Sequence, residues 1–174
     1  MKKFFARRIA VLLSALLCSA CVFAQPDDPQ VVSAVDLKRY MGKWLEIAHS
    51  PNFFQKGCVR STAEYTLNED GSVKVYNVCT KGDGSVSDIE GVATVPNANE
   101  PAKLKVDFGF PWKGDYWVID LEPNYEWAVV SGPGKDSLFF LSRTAPMPVA
   151  TLQPILERLE AQGFETDEFV FDQW

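Results

Sequence analysis

The chain has 174 residues, 47% of them hydrophobic, with 17 basic and 23 acidic residues and a net charge of −6. Four of the basic residues fall in the first eight positions, so the chain beyond them carries 13 basic against 23 acidic residues, a net −10. That balance speaks against nucleic-acid binding, which needs cations facing phosphates, and it repels anionic membranes.

Lys2, Lys3, Arg7 and Arg8 precede an apolar run at residues 9–17, shorter than the roughly 20 residues a membrane-spanning helix needs. This reads as an export signal over residues 1–24, then a mobile leader at 25–34 and one domain at 35–174. Two processing sites fit. Cleavage after Val22-Phe23-Ala24 would release a soluble protein beginning at Gln25; Ser19-Ala20-Cys21 has the form of the end of a lipobox, which would place a lipid on Cys21, although Cys18 stands where that motif usually has Leu.

Strands follow in chain order. Residues 44–49 begin the series. Over 60–67, Arg60, Thr62, Glu64 and Thr66 alternate with Ser61, Ala63, Tyr65 and Leu67, and the period of two returns at 73–75 and 103–108. Further strands are expected at 89–95, 114–121, 125–131 and 137–143, separated by Gly82-Asp83-Gly84, Pro96-Asn97, Pro123-Asn124 and Gly132-Pro133-Gly134. From Thr151, Leu152, Ile155, Leu156 and Leu159 recur at helical spacing, with Gly163 as the C-terminal cap, and a short strand closes the chain at 168–171. Alternation with one apolar face fits a sandwich or a closed barrel.

Cys58 and Cys79 flank the first hairpin and remain once the signal has gone, so a disulfide between them is expected. A four-residue turn at 68–71 makes facing positions sum to 139, whereas these two sum to 137. A tighter turn or a bulge is needed to correct the offset of two.

Tyr40-Met41-Gly42-Lys43-Trp44 and, a hundred residues on, Leu141-Ser142-Arg143 resemble the paired motifs of the lipocalins. Asp36-Leu37-Lys38-Arg39-Tyr40, Ala63-Glu64-Tyr65-Thr66-Leu67 with Asp70-Gly71, Leu104-Lys105-Val106, Tyr125 and Ser131-Gly132-Pro133 extend the likeness over residues 35–171, nearest to the bacterial outer-membrane members. The resemblance implies an all-β fold: an eight-stranded antiparallel up-and-down barrel, one helix packed outside it and a short final strand. It implies a structural role for Gly42, Trp44, Tyr125 and Arg143, with Trp44 plugging the closed end under the Arg143 guanidinium. It also implies a carrier of fatty acids or lysophospholipids, with no cofactor, tethered to the outer membrane if Cys21 is lipidated and otherwise free in the periplasm or secreted.

The inward set inferred for the barrel mixes small and large residues. Ala63, Val75, Gly91, Ala93, Val106 and Val118 leave room, while Tyr65, Phe108, Tyr116, Trp127 and Phe140 supply aromatic walls. Glu46 is expected to face inward beside Trp44 and Ala48 as a hydrogen-bonded core carboxylate. The loops at 50–56 and 109–113 are placed at the mouth, with Phe53, Phe54, Phe110 and Trp112 as an apolar rim and Lys56 or Lys113 beside a headgroup. An enzyme is the competing reading, but His49 is the single histidine, the cysteines are expected to be bonded, and neither a nucleophile elbow nor a phosphate loop occurs. No catalytic residue and no metal site is therefore assigned. A module that binds other proteins through exposed aromatics is a third reading, and pairing of two copies is left open.

Overall fold

The computed structural model describes residues 28–135 and 137–174. The export signal and Cys21 lie outside the described residues. The chain enters through a four-residue helix, α1 (Leu37–Tyr40), capped by Asp36, whose carboxylate accepts from the amides of Lys38 and Arg39. Gly42, at φ +91°, turns the backbone out of α1 and into the first strand. An added Cβ there would meet its nearest neighbour, Arg143 Nη1, at an ordinary 3.6 Å. It is therefore the positive φ that calls for glycine at this position.

Eight strands follow: β1 (Gly42–His49), β2 (Cys58–Leu67), β3 (Val73–Lys81), β4 (Val86–Thr94), β5 (Lys103–Asp107), β6 (Lys113–Leu121), β7 (Trp127–Ser131) and β8 (Leu138–Ser142). Each pairs antiparallel with the next, and β1 pairs with both β2 and β8, so the sheet closes on itself as an eight-stranded barrel. Closure removes the free edges that an open sheet would expose. Helix α2 (Val149–Ala161) lies outside, and a two-residue strand, β9 (Val170–Phe171), adds to β1.

The barrel has two apolar layers. Trp44, Ala63, Tyr65, Val73, Val75, Ala93, Leu104 and Val118 pack inside, while Ile47, Ala48, Trp117, Val129, Leu138 and Phe140 form an outer layer with Ile155 and Leu159 of α2. Strands β6, β7 and β8 are thus buried on both faces, and there the apolar residues run on without alternating. This corrects two of the expected inward residues. Phe140 pairs with Val129 and Ala48 on the outer side, and Trp127 packs with it under α2, where Arg158 reaches across to Asp120 at 2.7 Å. Ala48 is corrected with them: β1 bulges between Glu46 and Ala48, so Glu46 stays inside and Ala48 turns outward.

The Cys58–Cys79 disulfide is present, with the Cα atoms 5.5 Å apart. Its geometry differs from the expected correction. The turn at 68–72 holds five residues, with Leu67 facing Val73, and a bulge at Val59 leaves Cys58 opposite Lys81 and Cys79 opposite Ser61. The bond joins the strands on the diagonal. Titration of thiols in denaturant should find neither Cys58 nor Cys79 reactive until a reductant is added; two reactive groups before reduction would contradict this bond.

Candidate functional site

The closed end is assembled by Arg143. Its guanidinium carbon sits 3.7 Å from the centre of the Trp44 ring, and its nitrogens donate to the carbonyls of Lys43 (2.8 Å), Met41 (2.9 Å), Tyr40 (3.1 Å), Arg39 (3.2 Å) and Tyr125 (3.3 Å). The carbonyls at the end of α1, which have no partner within the helix, therefore receive one fixed cation, which also joins the end of β8 to β1. Trp44 is fully buried and donates its indole N–H to the Tyr40 carbonyl. Tyr125, at φ +65°, accepts from the Asp36 amide through its hydroxyl and carries Arg39 over its ring. All four motif residues thus sit in the floor.

Above that floor, three tyrosines meet inside the barrel. The Tyr40 hydroxyl lies 2.8 Å from that of Tyr116, which donates to Tyr65 at 3.0 Å. Burial raises all three above the ordinary phenol range, so they stay protonated. The space left among Val35, Tyr40, Tyr65, Val75, Ala93, Tyr116 and Val118 is about 20 Å³. A cavity of roughly 10–15 Å³ on this measure holds one water, so the space at the floor has room for about one.

The lumen is therefore fuller than its small residues implied. Gly91 shows why: a Cβ built on it would come 2.5 Å from the Phe108 ring and 2.8 Å from the Asp107 carbonyl oxygen, so the ring occupies the place the glycine vacates. Higher up the wall is wet. Ile89 pairs with Asn77 on the inward side and is 41% exposed. Of the residues expected to contact a ligand, Ala63, Tyr65, Val75, Ala93, Val106, Phe108, Tyr116 and Val118 belong to the inner layer. Gly91→Ala should press on both the Phe108 ring and the Asp107 carbonyl and cost about 1–3 kcal/mol through overpacking, read as a lower melting temperature; an unchanged melt would show that neither is held against Gly91.

The rim aromatics are exposed and meet across the mouth. The Phe53 ring lies 5.5 Å from Trp112 and the Phe54 ring 6.3 Å from Phe139, while Phe110 stands free at 95% exposure. Lys56 is exposed on the same loop. Lys113 is drawn to Asp107 at 2.6 Å instead of standing free for a headgroup.

Sequence reasoning missed a polar group beside the mouth. Glu46, His49 and Asp172 are buried together, with Gln55 donating to Glu46 at 2.7 Å and the Ser61 amide donating to Asp172. Burial, and then the Glu46 charge, push the Asp172 carboxyl up to about 6, against the pull of the Ser61 amide and His49. The sequence offers no spacing that announces this group, because Asp172 arrives from the far end of the chain.

An apolar-lined, closed antiparallel barrel of eight strands, plugged by Trp and Arg at one end and rimmed at the other, defines a lipocalin calyx. The chain belongs to the lipocalin family: residues 35–173 match the family model described as a lipocalin-like domain. It is 34% identical to the outer membrane lipoprotein Blc of Vibrio cholerae over 96% of this chain and 98% of that protein. It is 36% identical to apolipoprotein D of Bos taurus over 80% and 77% of the two chains. Among solved structures, insecticyanin from the tobacco hornworm Manduca sexta superposes with a TM-score of 0.70 at 19% identity, covering 85% of each chain, a likeness of fold alone. Lipocalins bind small hydrophobic ligands.

Proposed function

We propose that this lipocalin carries single-tailed lipids, fatty acids or lysophospholipids, with the tail in the lumen and the headgroup at the mouth. The observation that supports this most is the joining of an apolar inner wall to an exposed aromatic rim, with Phe53, Phe54 and Trp112 leading in toward Phe139. Each methylene that leaves water contributes about 0.8 kcal/mol, so a tail of a dozen carbons supplies useful affinity after the cost of ordering it. A tail does not fit the 20 Å³ at the floor. Entry requires lumen side chains to swing aside, and Phe108, which rests on a glycine and is only half-buried, is the one we assign to that movement. The similarity to an outer membrane lipoprotein supports lipidation at Cys21 and a place in the cell envelope, with carriage and not turnover as the activity.

Lipids extracted from protein purified out of its native envelope, identified by mass spectrometry, should include a single-tailed lipid at about one per chain. A fluorescent fatty acid should bind in competition with it. Phe108→Ala should bind that fatty acid at least as tightly as the unaltered protein; loss of binding in this variant would contradict the assigned movement. Lipid-free protein that also fails to take up the fatty acid would overturn carriage itself.

A further inference from the structure

The polar group beside the mouth has a composition that hydrogen bonding does not explain. His49 Nδ1 stands 2.8 Å from Glu46 Oε1 and 4.0 Å from Asp172 Oδ1, with the three side chains 4%, 7% and 1% exposed. The 2.8 Å approach is not aligned as a hydrogen bond, and both His49 Nδ1 and Asp172 Oδ1 lack a hydrogen-bond partner among the described residues. One nitrogen and two carboxylate oxygens thus lie within 4.8 Å of one another in a buried space, two of them unpartnered.

We propose that Glu46, His49 and Asp172 form a binding site for one divalent transition-metal cation of the zinc class. Imidazole with carboxylate is a donor set that zinc accepts, and three protein donors leave a position for water. Zinc bonds of about 2.0–2.2 Å place tetrahedral donors about 3.4 Å apart, between the two separations measured from His49 Nδ1. A dication also neutralises two carboxylates that burial otherwise penalises.

The supports for the donors are in place. Gln55, itself held by Asn52, donates to Glu46 Oε1, and the Ser61 amide donates to the second oxygen of Asp172, leaving Oδ1 turned toward the histidine. Such outer contacts orient metal ligands.

The site falls where β1 and β2 part. β1 pairs with β2 only over residues 42–45, and above that point the terminal segment fills the gap, with the Asp172 amide bonded to the Ile47 carbonyl, Gln173 to Val59, and the Trp174 indole to Glu46. β9 itself holds by two register positions. A cation joining Glu46 and His49 on β1 to Asp172 fastens that segment across the seam. This inference does not rest on the lipid reading.

Cobalt(II) tests it by giving a visible absorption on coordination. Protein purified in the presence of a chelator, then freed of it, should bind one Co²⁺ per chain with that absorption, and Zn²⁺ should displace it. His49→Gln and Asp172→Asn should each weaken binding by at least about tenfold, the loss that even outer contacts produce. Absence of the absorption, or binding that survives both substitutions, overturns the site. Should either variant fail to fold, hydrogen exchange at the Gln173 amide of the unaltered protein decides: slower exchange with Zn²⁺ supports the fastening, and an unchanged rate overturns it.

Discussion

Arg143→Ala should lower the stability of the barrel by about 3–5 kcal/mol, because one substitution removes five charge-assisted bonds to carbonyls and the cation over Trp44. The loss is less than a sum of single bonds, since water reaches this half-exposed end and rehydrates some of the carbonyls. For a chain of this length, the melting temperature should fall by about 10 °C. Arg143→Lys should recover only part of it, because an ammonium lacks the planar fork that reaches carbonyls of both α1 and β1. Lipid affinity, measured well below the variant's melting point, should stay near that of the unaltered protein. A fall in affinity with no change in melting temperature would move Arg143 from the floor's architecture to the ligand site.

Loss of the Cys58–Cys79 bond is the second large effect expected. The bond closes a loop of about twenty residues, and releasing that loop in the unfolded chain costs about 3 kcal/mol of stability. Cys58→Ser with Cys79→Ser, or reduction of the unaltered protein, should lower the melting temperature by about 8 °C. Both cysteines lie at the mouth end of the β2–β3 hairpin, beside the loop that carries Phe53 and Phe54. The variant should therefore also show faster hydrogen exchange in β2 and β3 near the mouth than near Leu67 and Val73. A melting temperature unchanged by reduction would mean that the strand pairing alone holds this hairpin.

The floor was legible because its parts are local signals. Gly42 before Trp44 needs a positive φ, Asp36 caps four residues of helix, and Arg143 ends the last strand, so barrel closure alone brings them together. Strands β2 and β5 and the start of β3 are legible as well, since there one face meets water and the period of two survives, whereas β4 is exposed along most of its length and its first three residues carry no such signal. Trp127 and Phe140 were misplaced for the opposite reason: α2 covers their strands, both faces are apolar, and parity carries no information without the bulge in β1 and the register of β8. Gly91 reads as room in the sequence, but the space a missing side chain leaves belongs to whichever neighbour reaches it first, and Phe108 does. The Glu46, His49 and Asp172 group was invisible because one bulge and one long-range pairing create it.

The most direct test of the account is where a bound tail lies. In protein loaded with a uniformly ¹³C-labelled fatty acid, nuclear Overhauser contacts should run from the acyl chain to the methyls of Ala63, Val75, Ala93 and Val118, which line the inside, and not to those of Val129, Ile155 and Leu159, which lie under α2. Contacts confined to the rim or to the outer layer, with the inner methyls silent, would contradict the claim that this barrel carries lipid in its lumen.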